Sequence, residues 1–153
     1  MPEAKAKLLI VDDEPSIRSS MSAVLAEIGY GVRCAEDSSS ALRELCREIP
    51  DILLSDLNMP GMSGFELLSV VRHRFPEIHT IAMSGSFSGD EVPSGVAADA
   101  FYQKGSSMGC LQRILEALPR TERMLPERTA EHTFQLNRAE GKQQPVSAAQ
   151  LNC

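Results

Sequence analysis

The chain has 153 residues, of which 42% are hydrophobic and 24% charged, and its formal net charge is −6. These values are ordinary for one globular domain that is large enough to form a real core. An acidic chain without a basic stripe argues against direct binding of DNA or RNA. No apolar run approaches the roughly 20 residues of a membrane span. The apolar run Leu8–Val11 is too short for a signal peptide, so we expect a cytoplasmic protein.

Five short apolar segments predict β-strands, because each is bounded by Gly, Pro or polar turn residues. Ile52–Asp56 is the central one of the five: three apolar residues run into Ser55 and Asp56, and a turn rich in Pro and Gly follows. In chain order the predicted strands are Lys5–Val11, Gly31–Ala35, Ile52–Asp56, Ile78–Met83 and Ala100–Gln103.

Between the strands, apolar residues recur at helical spacing and predict helices. The first predicted helix starts at Pro15 and ends at Gly29, and the second starts at Ser38 or Ser39 and ends at Pro50. The third starts at Ser63 and ends at Pro76, and the last starts at Ser106 or Ser107 and ends at Pro119. The segment between the last two strands contains Pro93 and Gly95, so a fourth helix there is predicted to be short or irregular.

Alternation of strand and helix along the chain predicts an α/β fold with a parallel sheet, helices on both faces and right-handed crossovers. Residues 1–118 form this predicted domain. Residues 119–153 are polar and lack a sustained apolar period, so we expect a flexible extension there rather than a partner-binding arm.

Polar side chains stand at the ends of four predicted strands, and they are Asp12 and Asp13, Asp56, Ser84, and Lys104. In open parallel sheets, ligands bind at the edge where the strands end. Three crowded carboxylates repel one another unless a cation lies among them, and oxygen ligands suit Mg²⁺. Lys104 and Ser84 would bind the oxygens of a phosphoryl group in transfer. Asp56, on the central strand, is then the nucleophile that forms an acyl phosphate.

Each of these residues also has a plainer interpretation. Asp12 and Asp13 could cap a helix, Ser84 could be a turn residue, and Lys104 could be a solvated surface charge. Their joint occurrence at strand ends, in this order, favours a phosphoryl-transfer site.

Four segments resemble the signatures of response-regulator receiver domains of two-component signalling; they read LLIVDDEP, LLSDLNMPGMSG, IAMSGS and AFYQKG. The resemblance implies a flavodoxin-like (CheY-like) three-layer sandwich with a five-stranded parallel sheet of order 2-1-3-4-5. It also implies that Asp56 accepts a phosphoryl group from a phosphohistidine on a sensor histidine kinase or a histidine phosphotransfer protein. Phosphorylation would then switch the binding of an output partner.

The resemblance further implies a metal site. Asp13, Asp56 and the main-chain carbonyl of Asn58 would hold Mg²⁺, with Mn²⁺ as a possible substitute, and Asp12 would act through a bound water.

Ser84 and Phe101 stand at the family's two switch positions. On phosphorylation Ser84 would turn toward the phosphoryl group and Phe101 would move inward. Asn58 and Ser86 occupy the positions that tune hydrolysis of the aspartyl phosphate. An amide beside the phosphoryl group can orient a water, so we expect a fairly short-lived phosphorylated form.

Two features depart from the family pattern. Gly105 follows Lys104 where the family usually has Pro, and the segment Ser84–Lys104 is shorter than usual. Both alter the family's usual output face. That face is formed by the fourth helix, which precedes the last strand, by the last strand itself, and by the helix that follows it. We expect a monomer or a weak dimer, and the output partner, the kinase and the stimulus stay open.

Three hypotheses follow from these residues. The first is a stand-alone receiver, because residues 120–153 cannot hold an output domain. The second is a receiver-like interaction module that does not depend on phosphorylation. The third, a phosphatase of the haloacid dehalogenase type, needs a second Asp where this chain has Asn58. We therefore expect no enzymatic activity beyond self-phosphorylation and slow autodephosphorylation.

Overall fold

The structure, a computed structural model, describes residues 5–85 and 94–119. Five strands and four helices lie within these ranges. They are β1 (Lys7–Val11), α1 (Pro15–Ile28), β2 (Gly31–Ala35), α2 (Ser38–Arg47), β3 (Ile52–Asp56), α3 (Gly64–Arg74), β4 (His79–Ser84), β5 (Ala100–Gln103) and α4 (Met108–Ala117). None of these helices has the length and apolar character needed to cross a bilayer.

The strands form one parallel sheet in the order β2-β1-β3-β4-β5, which confirms the predicted fold class and strand order. β3 lies at the centre, between β1 and β4, and all five of its residues are buried. A strand covered on both faces needs apolar side chains in both directions, which explains the continuous run Ile52–Leu54.

Two apolar cores cover the two faces of the sheet, because successive side chains of a strand point to opposite sides. Leu9 of β1 packs in the core that contains the buried residues of α2 and α3. Leu8 and Ile10 pack in the other core, with the buried residues of α1 and α4. The helices therefore form the two outer layers of a three-layer sandwich.

The predicted cap of α2 was wrong by one residue. Asp37, not Ser38 or Ser39, has extended backbone angles, and its carboxylate accepts a hydrogen bond from Ser40 N at 2.8 Å. Asp is as good an N-cap as Ser, and this bond lowers the pKa of Asp37 below its ordinary value. α2 also ends earlier than expected, since Ile49 lies beyond Arg47 and is 40% exposed.

The other two predicted serine caps agree with the structure. Ser63 caps α3 by accepting a bond from Glu66 N, and Ser107 caps α4 by accepting one from Cys110 N, each at 3.3 Å.

The connection from β4 to β5 is described only from residue 94 onward. Residues 94–99 contain no helix, and residues 86–93, where the rest of the predicted short or irregular helix falls, lie outside the described residues. Asp99 fastens the start of β5 to the start of β4. Its carboxylate accepts from Thr80 N and from Arg72 Nη2, each at 2.9 Å. The predicted extension beyond Pro119 also lies outside the described residues.

Candidate functional site

The ends of four strands bring the predicted site residues to one edge of the sheet. Asp12 and Asp13 follow β1, Asp56 ends β3, Ser84 ends β4 and Lys104 follows β5. The strand register aligns these ends, because Val11 pairs with Ser55 and Asp56 pairs with Met83. Residues far apart in sequence therefore form one site.

Three carboxylates are crowded at this edge. Asp12, Asp13 and Asp56 each offer an oxygen, and these three oxygens all lie within 4.8 Å of one another. Asp12 and Asp56 are buried, whereas Asp13 is exposed. Burial raises the pKa of Asp56 above its ordinary value, and the charge of Asp12 adds to this, although the Asn58 amide and Lys104 oppose it. Such a set of hard oxygen donors fits Mg²⁺.

Lys104 lies among the carboxylates and is only 16% exposed. Its Nζ is 2.9 Å from Asp12 Oδ2, 3.3 Å from Asp56 Oδ2 and 3.5 Å from Glu14 Oε1. Burial by itself lowers the pKa of Lys104, but the hydrogen bond with Asp12 and the charges of Asp56 and Asp12 outweigh it, so the pKa is raised. Lys104 is therefore a fixed positive charge in the site.

Glu14 is a member of the site that the sequence did not predict. Its carboxylate is exposed and reaches Lys104 from the start of α1. The sequence signal for Glu14 was its position directly after Asp13, within the segment LLIVDDEP.

Asn58 contacts both Asp56 and Ser84. Its main-chain N–H donates to Asp56 Oδ1 at 3.1 Å, and its side-chain Nδ2 donates to Ser84 Oγ at 2.9 Å. Ser84 is fully buried, while Asn58 is exposed at the rim.

Gly64 was also missed, and it lies against the backbone of Asp56. A Cβ atom on Gly64 would lie 1.9 Å from the main-chain oxygen of Asp56. Only glycine permits α3 to begin this close to β3. Ser38 holds the same loop from the other side, since its Oγ donates to Met62 O at 2.8 Å.

Gly105 has a structural reason for standing where the family usually has Pro. Its φ is +95°, a value that proline cannot adopt, and its peptide bond to Lys104 is trans. The chain therefore leaves β5 in a direction that the family's usual residue would forbid. Lys104 itself remains tied to β4, because its N–H donates to Ser84 O at 3.0 Å.

Phe101 lies inward in the structure. Its side chain is 2% exposed and belongs to the core on the α2 and α3 side, together with Leu57 and Met59. Its predicted movement on phosphorylation stays a prediction. Ser86, the second predicted tuning residue, lies outside the described residues.

An open cleft of about 480 Å³ lies over the carboxylates. It is lined by Asp13, Glu14, Ile17, Asp56, Asn58, Gly85, Lys104 and Gly105. Asp56 and Lys104 both line this cleft, so a small ligand bound in it would contact a carboxylate and a positive charge.

Comparison with known proteins agrees with this geometry. The family model described as the response regulator receiver domain matches residues 8–104. The nitrogen assimilation regulatory protein NtrX of Azorhizobium caulinodans is 31% identical over 137 residues, which cover 83% of this chain and 30% of NtrX. The matched segment is thus less than a third of that relative's length.

Solved structures give the same result. The chemotaxis protein CheY4 of Vibrio cholerae is 31% identical with a TM-score of 0.68, covering 76% of this chain and 100% of that one. The response regulator TrrA of Thermotoga maritima, in complex with Mg²⁺ and BeF, is 29% identical with a TM-score of 0.66, covering 72% of this chain and 96% of TrrA. TrrA has also been solved in complex with the histidine kinase ThkA.

Proposed function

Because this chain belongs to the response regulator receiver domain family, we propose that it is a phosphorylation-controlled switch of two-component signalling. In this proposal Asp56 accepts a phosphoryl group from a phosphohistidine donor, and the modified domain changes its affinity for an output partner. The observation that carries the proposal is the meeting of three carboxylates, Lys104 and Ser84 at one edge of the sheet.

Mg²⁺ fits the donor set of the site. Asp13, Asp56 and the main-chain carbonyl of Asn58 would hold it directly, and Asp12 would hold it through a water. When bound, the cation supplies positive charge that offsets repulsion between the carboxylates and the incoming phosphoryl oxygens. Asp12 and Asp56 are both buried at this edge, so a cation among the three carboxylates would offset the cost of keeping them ionised.

Transfer requires Asp56 to act as the nucleophile. One Asp56 oxygen attacks phosphorus, the P–N bond to the donor histidine breaks, and the electron pair of that bond returns to the imidazole. The product is an acyl phosphate on Asp56. Lys104 exchanges part of its contact with Asp12 and Asp56 for a contact with a phosphoryl oxygen, and Ser84 donates a hydrogen bond to another.

The switch follows from what Ser84 contacts in each state. As Ser84 turns toward the phosphoryl group, the packing at the end of β4 changes next to Phe101, which lies on the neighbouring strand β5. Two packings of this region then have different populations in the two states. Asn58 and Ser86 tune the hydrolysis that resets the switch, and the phosphorylated form is short-lived.

The partners are proposed by analogy with the relatives. In this proposal a sensor histidine kinase or a histidine phosphotransfer protein supplies the phosphoryl group. A kinase partner is supported by the structural neighbour TrrA, which has been solved in complex with the histidine kinase ThkA. The chain acts in the cytoplasm as a monomer or weak dimer. Residues 1–118 form the receiver and residues 119–153 form an extension.

Intact mass spectrometry after incubation with acetyl phosphate and Mg²⁺ tests this function. We expect one phosphoryl adduct on the wild type, none on Asp56→Asn, and none when Mg²⁺ is chelated beforehand. Glu116→Gln is the matched control, because it removes an exposed carboxylate on helix α4, away from the cleft residues. Absence of an adduct, together with failure to bind Mg²⁺, would favour an interaction module that does not depend on phosphorylation.

A further inference from the structure

The side chain of Asn58 connects the loop between β3 and α3, called here the acceptor loop, to Ser84 at the end of β4. Its Nδ2 donates to Ser84 Oγ at 2.9 Å, while its main-chain N–H donates to Asp56 Oδ1 at 3.1 Å. Ser84 is fully buried. The side-chain amide of Asn58 is one neighbour of its hydroxyl.

This contact gives the hydroxyl of Ser84 a direction. The NH₂ group of an asparagine only donates, so at this contact the serine oxygen must accept. A serine hydroxyl has a single hydrogen, and here that hydrogen has to point away from Asn58 Nδ2. A phosphoryl group on Asp56 offers only acceptor oxygens, and it therefore needs a donor.

We propose that Asn58 is a positioning residue whose amide fixes the polarity of the Ser84 hydroxyl, keeping its hydrogen for a phosphoryl oxygen on Asp56. The inference rests on the proposed function and goes beyond hydrolysis, because the amide acts here on the switch group and not on a water. Ser84 can accept from Asn58 and donate to the phosphoryl group at the same time. Accepting from Asn58 does not use the hydroxyl hydrogen, so this contact does not compete with the bond that Ser84 donates to the phosphoryl group.

Aspartate at position 58 is the sharpest perturbation. It has the same shape as asparagine, but its carboxylate only accepts, so it draws the hydrogen of Ser84 toward itself. The main-chain carbonyl of residue 58, the proposed metal ligand, is retained in the variant. Asn58 is exposed and aspartate fills the same space, so the substitution displaces no buried side chain.

The test is a double-mutant cycle with beryllium fluoride, a mimic of the acyl phosphate, at saturating Mg²⁺. Its dissociation constant is measured by fluorine NMR for the full chain as wild type, Asn58→Asp, Ser84→Ala and the double variant. The Ser84→Ala background is the matched control, because the added charge at position 58 is the same while the hydroxyl is gone.

We expect Asn58→Asp to weaken binding about tenfold when Ser84 is present and less than about twofold when it is not, since a hydrogen bond to a charged group is at stake. Asn58→Ala, which removes the donor without adding an acceptor, should give a smaller loss that also depends on Ser84. An equal effect of Asn58→Asp in both backgrounds overturns the inference and leaves the proposed function standing. A wild type that does not bind beryllium fluoride overturns the proposed function, and the inference with it.

Discussion

Replacing Gly64 by alanine tests how closely α3 approaches Asp56, the proposed phosphoacceptor. The added Cβ would lie 1.9 Å from the main-chain oxygen of Asp56 and 2.7 Å from Leu57 Cα. Both are backbone atoms, so no flexible side chain can yield, and the first turn of α3 has to move by roughly 1 Å. Overpacking of this kind costs about 2–3 kcal/mol of unfolding free energy. Where Asp56 yields in place of α3, its carboxylate is displaced as well. The rate then falls by up to roughly 100-fold, the effect of a misplacement of about 1 Å at a reacting group.

Urea unfolding and the initial rate of adduct formation from acetyl phosphate together measure these two effects. Gly109→Ala in α4 is the matched control: the nearest atom to its Cβ is Ser107 Oγ at 3.7 Å, and alanine there should stabilise the helix by about 0.5–1 kcal/mol. If Gly64→Ala unfolds at the wild-type urea concentration and is phosphorylated at the wild-type rate, the close approach of α3 to Asp56 is not what the site requires.

Three further substitutions separate the charges of the site. Asp56→Asn should raise the free energy of unfolding at neutral pH by roughly 1 kcal/mol without Mg²⁺. Because burial raises the pKa of Asp56, the folded state binds the proton of this carboxyl more tightly than the unfolded state does. The wild type therefore loses stability as the pH rises from the pKa of Asp56 in the unfolded state through its pKa in the folded state. The variant should lack this loss. Lys104→Met leaves the buried Asp12 and Asp56 without their positive partner, so the free energy of unfolding should fall by about 2–3 kcal/mol, and Mg²⁺ should restore part of it. Thermal melts with and without the metal measure this change. A variant as stable as the wild type would contradict it. Glu14→Gln removes an exposed contact to Lys104 at 3.5 Å, so stability should change by less than about 1 kcal/mol, while the initial rate with anionic acetyl phosphate should rise about twofold at low salt. A rate that is unchanged at every salt concentration would contradict the role given to Glu14.

The sequence predicts the positions of the strand ends because their signals are local. Each apolar run stops at a polar residue, and in a parallel sheet all such ends reach one edge, so Asp56 and Lys104 could be placed together without coordinates. The cap of α2 was missed because the local sequence offers more than one suitable residue. Asp37 and Ser38 are both good caps, and only the backbone angles choose between them.

The contacts across loops are not encoded by local patterns. The bond from Asn58 to Ser84 depends on the path of the acceptor loop and on a rotamer, and the close approach of Gly64 to Asp56 depends on where α3 begins. The strand pattern fixes neither of them. The same applies to Gly105, whose positive φ explains its departure from the family pattern only once the path of the chain is known.

In the proposed function, Asp56 takes a phosphoryl group from a nitrogen donor. Phosphoramidate carries the P–N bond of phosphohistidine and is the simplest such donor. The full chain is incubated with phosphoramidate and Mg²⁺ and then reduced with borohydride, which converts an aspartyl phosphate to homoserine, and its peptides are mapped by mass spectrometry. We predict homoserine at position 56 and at none of the other aspartates. Homoserine at Asp12 or Asp13 with position 56 unmodified, or no modification at all, would contradict the account.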